Sequence, residues 1–155
     1  MTGSFEVASV EETWRVAGEL AKTLKPGDVV CLEGDLGAGK TTFTQGLAAA
    51  LGVRGRVTSP TFCIVQEHPA AGTVPGASGV SLFVHMDLYR LGGEEDVEAI
   101  GWEDYLSRGA VIAVEWPERA GALVPETAIR VRFRRTGEDS REISVSMGRG
   151  GGRQS

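Results

Sequence analysis

The sequence predicts one α/β domain whose mainly parallel central sheet is flanked by helices and continued by an antiparallel extension. Residues 110–114 form an unbroken apolar run of strand length, typical of a strand that is covered on both faces. Residues 28–51 contain, in order, a short buried strand, a glycine-rich loop and a helix. Residues 128–135 and 142–147 alternate apolar with polar side chains, so each of these strands is expected to have one buried face.

Length and composition favour a single globular domain. The chain has 155 residues, 41% of them hydrophobic and 24% charged, close to the average for soluble proteins. We expect residues 1–147 to form the domain and residues 148–155 a flexible tail. No apolar run approaches the roughly 20 residues that span a bilayer, and no secretion signal is present at the N-terminus, which favours a cytoplasmic protein without membrane contact.

Charge and cysteine content exclude further classes. The formal net charge of −5 argues against a protein that wraps nucleic acid unaided, because neutralising phosphates requires a basic surface. It does not exclude a nucleic acid that is reached through a partner. Cys31 and Cys63 each lie in an apolar run without metal-ligand spacing, so both are expected to be buried, reduced thiols.

The first part of the chain is predicted to form a helix, a strand and a second helix. Residues 10–24 carry apolar side chains at helical spacing, and Ser9 with Glu12 three positions later forms a capping box at the start. The strand is expected over residues 28–33. The second helix is expected over residues 42–51.

A hairpin follows in the prediction. Residues 58–67 begin as a polar loop and become a β-rich strand, and residues 80–88 read as the returning strand. Between them, residues 69–79 are Gly, Ala, Pro, Ser and Thr with a single Val. This composition does not support a hydrophobic core, so a mobile hairpin loop is expected there. Two acidic helical stretches, 94–98 and 100–106, come next.

One octet carries the strongest chemical signal. Residues 34–41, Gly-Asp-Leu-Gly-Ala-Gly-Lys-Thr, fit the phosphate-binding pattern of Gly, four residues, Gly, Lys and Ser or Thr. The glycines let successive amide N–H groups point at one anion, and Lys40 adds a positive charge at the outer phosphates. Thr41 can hold magnesium. The predicted fold class is therefore a single-domain P-loop NTPase that binds a nucleoside triphosphate.

Hydrolysis or transfer also needs carboxylates that hold magnesium and orient a nucleophile. Glu115 ends the apolar run at 110–114, where the strand is expected to emerge beside the phosphate loop, and we assign it to magnesium. Asp87 also ends a strand and could position the attacking water. The alternatives are a solvated charge at Glu115 and a turn-forming residue at Asp87.

Other polar and aromatic residues admit two interpretations. Residues 58–62 could sense the γ-phosphate as a switch or simply connect a helix to a strand. Trp116 could stack on a base or a partner, or only pack. His85 could be chemical, although a lone histidine among apolar residues is more often structural. Arg130, Arg132 and Arg134, the arginine row, could meet RNA phosphates, but a solvated strand face is favoured.

Four motifs occur in the chain in one order: Gly-Asp-Leu-Gly-Ala-Gly-Lys-Thr-Thr-Phe at 34–43, Ser-Pro-Thr-Phe at 59–62, His-Met-Asp-Leu-Tyr-Arg at 85–90 and Val-Glu-Trp-Pro-Glu at 114–118. Their combination resembles the bacterial TsaE (YjeE) family, the ATPases of tRNA threonylcarbamoyladenosine biosynthesis. The resemblance covers about residues 5–135. The loop at 69–79 looks longer than is usual for the family, and the segment after Arg135 is expected to have no family counterpart.

The resemblance implies a P-loop ATPase that hydrolyses Mg-ATP in a complex with two proteins, TsaB and TsaD, and that meets tRNA through this complex. TsaD of that pathway transfers the threonylcarbamoyl group to adenosine 37 of tRNA. By matching motif, Lys40, Asp87 and Glu115 are implied to be catalytic, Thr41 and Glu115 to bind Mg²⁺, and residues 58–62 to be the switch. ATP contacts are implied for Asp35, Leu36, Gly37, Ala38, Gly39, Lys40, Thr41, Thr42 and Trp116.

Three rival functions were weighed against an ATPase. A GTPase is disfavoured because guanine is commonly read by an Asn-Lys-x-Asp segment and the chain contains no asparagine. A small-molecule kinase would need an arginine-bearing lid, and the loop at 69–79 contains no arginine. A nucleotide-binding scaffold without hydrolysis stays open, since a partner-activated ATPase would also turn over slowly alone.

Overall fold

The computed structural model describes residues 1–34, 39–55, 57, 65–74, 76–77 and 79–148. Within them, the strands are β1 (Gly3–Val7), β2 (Val29–Gly34), β3 (Val65–Pro69), β4 (Leu82–Asp87), β5 (Val111–Glu115), β6 (Ile129–Arg135) and β7 (Arg141–Ser146). The helices are α1 (Val10–Ala21), α2 (Lys40–Ala50), α3 (Glu94–Ala99) and α4 (Trp102–Ser107), followed by a 3₁₀ segment, Pro117–Leu123.

The described strands form one mixed sheet in the order β1-β7-β6-β2-β5-β4-β3. Its four central strands, β6, β2, β5 and β4, are mutually parallel. At one side β7 pairs antiparallel with β6 and β1 with β7, and at the other β3 pairs antiparallel with β4. The predicted α/β class, with a parallel centre and an antiparallel extension, is confirmed.

Helices cover both faces of the sheet. Apolar side chains of α1 and α2, such as Leu20 and Phe43, pack with Val30 and Ala113 in one core cluster. On the opposite face, Trp102 of α4 joins a second cluster with the alternate strand positions. Because successive strand residues point to opposite faces, the apolar residues of β5 contribute to both clusters, which explains why residues 111–114 are all buried.

The start of α1 matches the predicted capping box. The Ser9 hydroxyl accepts a hydrogen bond from the Glu12 N–H at 3.1 Å, and the Glu12 carboxylate accepts one from the Ala8 N–H at 2.8 Å. The first contact satisfies the Glu12 N–H, one of the backbone donors that the first helical turn leaves unpaired, and the second binds the N–H of the residue before the N-cap. The helix is shorter than predicted and ends at Ala21.

Two elements were missed by the sequence interpretation. Strand β1 forms because its backbone pairs with β7, more than 130 residues later, with Phe5 opposite Ile143. The 3₁₀ segment Pro117–Leu123 follows a left-handed residue, Trp116. Neither has a strong periodic pattern of its own, so local sequence carries little signal for them.

The hairpin predicted around residues 69–79 is confirmed by the β3–β4 pairing, with Val65 opposite Met86. The expectation that its loop makes no contribution to a core is wrong at Ala77, which is buried in the first cluster. The Ala71 N–H also donates to the Leu51 carbonyl at 3.2 Å, which ties the loop to the end of α2. Small residues here permit close packing on the helix ends.

The other broad expectations have mixed outcomes. Cys31 is buried and free, as predicted, whereas Cys63 lies outside the described residues. Residues 149–155, most of the predicted tail, also lie outside them. A search of the described helices finds none that is long and apolar enough to cross a membrane.

Candidate functional site

Four polar residues meet where the parallel strands end. Strands β2, β4 and β5 run in the same direction, so their carboxyl ends lie at one edge of the sheet. Asp87 is the register partner of Glu115, and His85 that of Ala113, so all of these positions share the face covered by α2. Together with Lys40, the residues His85, Asp87 and Glu115 are called the carboxyl-edge cluster below.

Lys40 is the first residue of α2 and is only 8% exposed. Its Nζ donates to the Gly34 carbonyl at 2.8 Å and lies 3.9 Å from Glu115 Oε1. An ammonium has three donor hydrogens, so a single close hydrogen bond and one long ion pair leave capacity for another acceptor. A buried cation with remaining donors beside a glycine-rich turn is suited to an anion.

Glu115 is buried at the end of β5, 6% exposed, and two groups approach its two carboxylate oxygens. Oε2 is 2.8 Å from Nε2 of His85, and Oε1 faces Lys40. Since a buried carboxylate is costly unless it is paired and hydrogen-bonded, these two contacts explain how the charge is accommodated. The alternative reading of Glu115 as a solvated charge is therefore wrong.

Asp87 lies beside Glu115 in the sheet but makes a local contact. Its Oδ1 accepts a hydrogen bond from the Tyr89 N–H at 3.0 Å, the geometry of a turn-forming aspartate. The local reading weighed for Asp87 thus describes one of its two oxygens. Its half-buried position at the carboxyl edge also fits the reading in which it orients a nucleophile.

The glycine-rich loop at 34–41 is described only at its two ends. Gly34 has a φ of 146°, and a Cβ there would approach the Phe133 carbonyl oxygen to 2.6 Å, so only glycine fits. Gly39 precedes α2 in a left-handed conformation with a φ of 102°. Asp35, Leu36, Gly37 and Ala38, for which ATP contacts are implied, lie outside the described residues, as do residues 58–62 of the expected switch.

A cavity of about 560 Å³ adjoins the start of α2. It lies between the first turn of α1, the first turn of α2 and the β6–β7 connection, and its size is in the range of small-molecule sites. Gly39 and Thr42 line it from the phosphate-loop side, and Arg135 and Arg141 from the other. Thr41, the predicted magnesium ligand, is half-buried in the same helical turn.

Arg141 is a candidate site residue that the sequence interpretation missed. A Cβ placed on Gly39 would lie 3.3 Å from Cδ of Arg141, so the arginine stem packs directly on the end of the glycine-rich loop. The two residues are about a hundred positions apart in sequence, and nothing local marks Arg141 as different from the other arginines. Only its position at the first residue of β7, beside the cavity, distinguishes it.

Trp116 lies directly after Glu115 in an unusual backbone conformation. Its φ of 59° and ψ of 52° are left-handed, which is unfavourable for a bulky residue and is concentrated at functional sites. The residue is 39% exposed, and its ring contacts that of Tyr89 with the centroids 4.9 Å apart and the planes inclined at 52°. The ring centroid lies 5.8 Å from Nζ of Lys40. Trp116 also lines a smaller cavity, about 120 Å³, together with Gly34 and Lys40.

The arginine row faces the other side of the sheet. Arg130 and Arg132 contact the two oxygens of Glu33 at 3.2 and 3.0 Å, and Arg134 contacts Glu142 at 3.2 Å. Every arginine of the row therefore has an acidic partner, which favours the solvated-face interpretation over RNA binding.

Magnesium at the carboxyl edge would need oxygen donors both from the protein and from a bound phosphate. No group of three or more His, Cys, Asp or Glu side chains within the described ranges is arranged to hold a metal alone. Magnesium, however, is commonly bound by one or two carboxylates together with phosphate oxygens of a substrate. Glu115 and Thr41 supply oxygen donors of that kind, so the residues fit Mg²⁺ that arrives with a nucleotide.

Comparison with known proteins adds independent information. The family model "Threonylcarbamoyl adenosine biosynthesis protein TsaE" matches residues 7–143. The chain is 42% identical over 136 residues to the TsaE protein of Bacillus subtilis, covering 88% of this chain and 80% of that one. It is 45% identical over 132 residues to the TsaE protein of Streptomyces coelicolor, covering 82% and 84%.

A solved structure is similar as well. The crystal structure of YdiB from Bacillus subtilis aligns with a TM-score of 0.73 at 35% identity, covering 96% of this chain and 87% of that chain. The matched range of the family model extends beyond Arg135 to residue 143. The expectation that the segment after Arg135 lacks a family counterpart is therefore wrong, and Arg141 falls within the matched range.

Proposed function

The chain belongs to the TsaE family of threonylcarbamoyl adenosine biosynthesis proteins, and on that premise we propose that it is a P-loop ATPase that binds and hydrolyses Mg-ATP in tRNA threonylcarbamoyladenosine biosynthesis. The observation that carries the proposal is the buried Lys40 beside the buried Glu115, at the end of a glycine-rich turn. A cation with spare donors and an acidic oxygen side by side match a phosphate and its metal.

Lys40 and the first turn of α2 would bind the outer phosphates. The Nζ hydrogen bond to Gly34 holds the ammonium at the turn, and its remaining hydrogens would be donated to phosphate oxygens. The unpaired N–H groups at the start of α2 add partial positive charge at the same place. Lys40 therefore stabilises negative charge that develops as the terminal phosphate is cleaved.

Glu115 and Thr41 would hold magnesium together with the phosphate oxygens. The ion, when bound, neutralises phosphate charge and fixes the orientation of the phosphates. Within the chain, Glu115 contributes a buried carboxylate whose Oε1 lies on the Lys40 side. Asp87, on the neighbouring strand, would orient the attacking water through the oxygen that is not bonded to Tyr89.

The nucleoside would occupy the cavity beside Thr42. This cavity opens from the same helical turn as the phosphate site, and its volume is sufficient for a nucleoside. Arg141, packed on Gly39 at the boundary between loop and cavity, would contact the phosphates nearest the sugar. Trp116 would close the opposite side of the phosphate site, where its ring stands beside Lys40.

The partners are proposed to be TsaB and TsaD, with tRNA reached through their complex. The net charge of −5 and the paired arginines both support indirect rather than direct contact with RNA. In this scheme, slow hydrolysis by the isolated protein becomes faster in the complex and resets it between tRNA cycles.

The test is ATP turnover by the full chain, alone and with TsaB, TsaD and tRNA, with and without magnesium. We expect magnesium-dependent turnover that rises in the complex. Lys40→Ala should reduce it at least about 100-fold, because a phosphate contact that strengthens in the transition state is lost. Lys22→Ala, at an exposed lysine of the turn after α1, is the matched control and should stay within about twofold.

Two outcomes would contradict the proposal. Turnover near zero with all partners present would favour a nucleotide-binding scaffold. Transfer of the phosphate to an added small-molecule acceptor instead of water would favour a kinase.

A further inference from the structure

His85 is completely buried and makes one polar contact among the described residues. Its exposed fraction is 0%, and its Nε2 lies 2.8 Å from Glu115 Oε2. The other ring nitrogen, Nδ1, is buried without a hydrogen-bond partner in the described structure. Because imidazole among apolar side chains is costly to bury, a histidine in this position needs a reason beyond packing.

The contacts of the two ring nitrogens indicate which of them carries the proton. A proton on Nδ1 would be a buried donor without an acceptor, whereas an unprotonated Nδ1 leaves only a lone pair unused. Nε2, in contrast, faces a carboxylate oxygen at hydrogen-bond distance. A proton on Nε2 therefore satisfies the most groups, and Nε2 donates it to Oε2 of Glu115.

We propose that His85 is a positioning residue for Glu115: it binds Oε2 and thereby reserves Oε1 as the single oxygen that Glu115 offers to magnesium. The inference rests on the proposed Mg-ATP function and adds a residue to it. His85 contacts neither phosphate nor metal in this scheme. It acts through the carboxylate, as hydrogen-bonded neighbours of metal ligands commonly do.

The position of Lys40 explains why this matters. Lys40 Nζ is 3.9 Å from Oε1, too long for a hydrogen bond, and it donates instead to Gly34. Without a donor at Oε2, the carboxylate would be free to rotate and take the ammonium with both oxygens. Lys40 would then be drawn away from the phosphates and Glu115 away from the metal. His85 keeps the two opposite charges close but not joined.

The experiment compares two substitutions of His85 in the full chain. His85→Leu removes the N–H donor and replaces the ring with an apolar side chain of similar size. His85→Gln carries an amide N–H that can reach the place of Nε2. His68→Leu and His68→Gln are matched controls at the only other histidine, which lies on β3 beside Gln66 rather than at the carboxyl edge. Thermal unfolding verifies that all four variants fold.

The first measurement is binding of ADP without magnesium, followed by titration of magnesium into the ADP complex. We expect His85→Leu to weaken magnesium binding about 10- to 100-fold while ADP binding without magnesium changes less than about twofold. His85→Gln should restore most of the magnesium affinity. A merely structural role would weaken both kinds of binding together.

The second measurement is the tautomer of His85, from ¹⁵N NMR of the imidazole in the nucleotide-free protein. We expect a proton on Nε2, and a changed signal in Glu115→Gln. Since it needs no nucleotide, this measurement separates the inference from the proposed function.

The outcomes can be distinguished. An Nε2 that carries no proton, unchanged magnesium binding in His85→Leu, or equal losses in the folded Leu and Gln variants would overturn the positioning role alone. A wild-type chain that binds no nucleotide would overturn the proposed function and the magnesium role with it, even if the tautomer is as expected.

Discussion

The carboxyl-edge cluster and the arginine row both place charged side chains next to groups of opposite charge on neighbouring elements, but they differ in burial. In the cluster, Lys40, His85 and Glu115 are buried, and Lys40 retains donors that its described contacts do not use. In the row, Arg132 and Arg134 are largely exposed, and each has an acidic partner. The unused donors of Lys40 are notable because Lys40 is buried, whereas water can bind the remaining N–H groups of an exposed arginine.

The physical reason lies in the cost of each arrangement. An exposed ion pair changes stability little, because water solvates both charges whether or not they meet. A buried charge without full compensation costs several kcal/mol, so it persists where something other than stability requires it. The comparison therefore predicts large functional effects from small changes in the cluster and small effects from large changes in the row.

The largest effect is expected at Glu115. Glu115→Gln removes the negative charge but keeps the shape, so metal-assisted hydrolysis should fall at least about 100-fold. Glu142→Gln is the matched control, since Glu142 also pairs with a cation, but that cation is Arg134 of the arginine row. Steady-state ATP turnover at saturating magnesium measures both. Near-normal turnover in Glu115→Gln would remove Glu115 from the metal site.

The next effect concerns Cys31, buried beneath the arginine row. Burial raises the pKa of Cys31 from its ordinary value of 9.0 to about 11, although the charge of Arg130 acts in the opposite direction. The unfolded chain releases this proton at lower pH than the folded chain does. The free energy of unfolding is therefore unaffected by this group below pH 9 and decreases as the pH rises from 9 toward 11. At about pH 10.5 the loss should be about 2 kcal/mol.

Urea unfolding of wild type and Cys31→Ala at about pH 8 and 10.5 isolates this contribution, because the other titrating groups are common to both chains. The wild type should lose more stability than the variant between the two pH values. An equal loss would mean that the field of the arginine row offsets the burial of the thiol.

A smaller effect is expected at Arg141. Like the arginine row it belongs to the β6–β7 part of the sheet, but its side chain packs on Gly39, next to Lys40 of the carboxyl-edge cluster. Arg141→Leu should weaken ATP binding about tenfold, through loss of a charge-assisted contact to phosphate. Arg134→Leu, seven positions earlier on the neighbouring strand and paired with Glu142, should stay within about twofold. Fluorescent-nucleotide titration measures both, and equal affinities would place Arg141 outside the nucleotide site.

The smallest effect is expected from the arginine row itself. Arg132 and Arg134 are paired within the protein, so we expect little effect when both are changed to Glu. The tRNA affinity of the complex of this chain with TsaB and TsaD, and the dependence of that affinity on salt, should stay within about twofold of the Arg15→Glu control. Gel-shift titrations at several salt concentrations measure this. A weaker complex with a flatter salt dependence would instead identify the row as an RNA-binding surface.

The sequence predicts where the residues of the carboxyl-edge cluster lie, but it does not predict the contacts among them. Glu115 could be placed at the carboxyl edge because an apolar run of strand length must end where the sheet ends, and Lys40 because the glycine pattern precedes it. For His85 the local sequence favours a structural role, since no local pattern indicates that its ring contacts a carboxylate 30 residues later. Asp87 ends a strand, as the sequence predicts. Its hydrogen bond from the Tyr89 N–H agrees with the turn-forming interpretation for one carboxylate oxygen and leaves the other for the interpretation in which it orients water.

By itself, the sequence determined the α/β class, the central strands, the start of α1 and the strand and helix on either side of the glycine-rich loop, because these follow from periodicity, capping and glycine spacing over a few residues. Only the tertiary structure decided that β1 joins β7, that Arg141 packs on Gly39, and that His85 holds one oxygen of Glu115. Each of those contacts joins segments that are far apart in the chain. Their formation depends on the order of strands in the sheet, which local propensity does not encode.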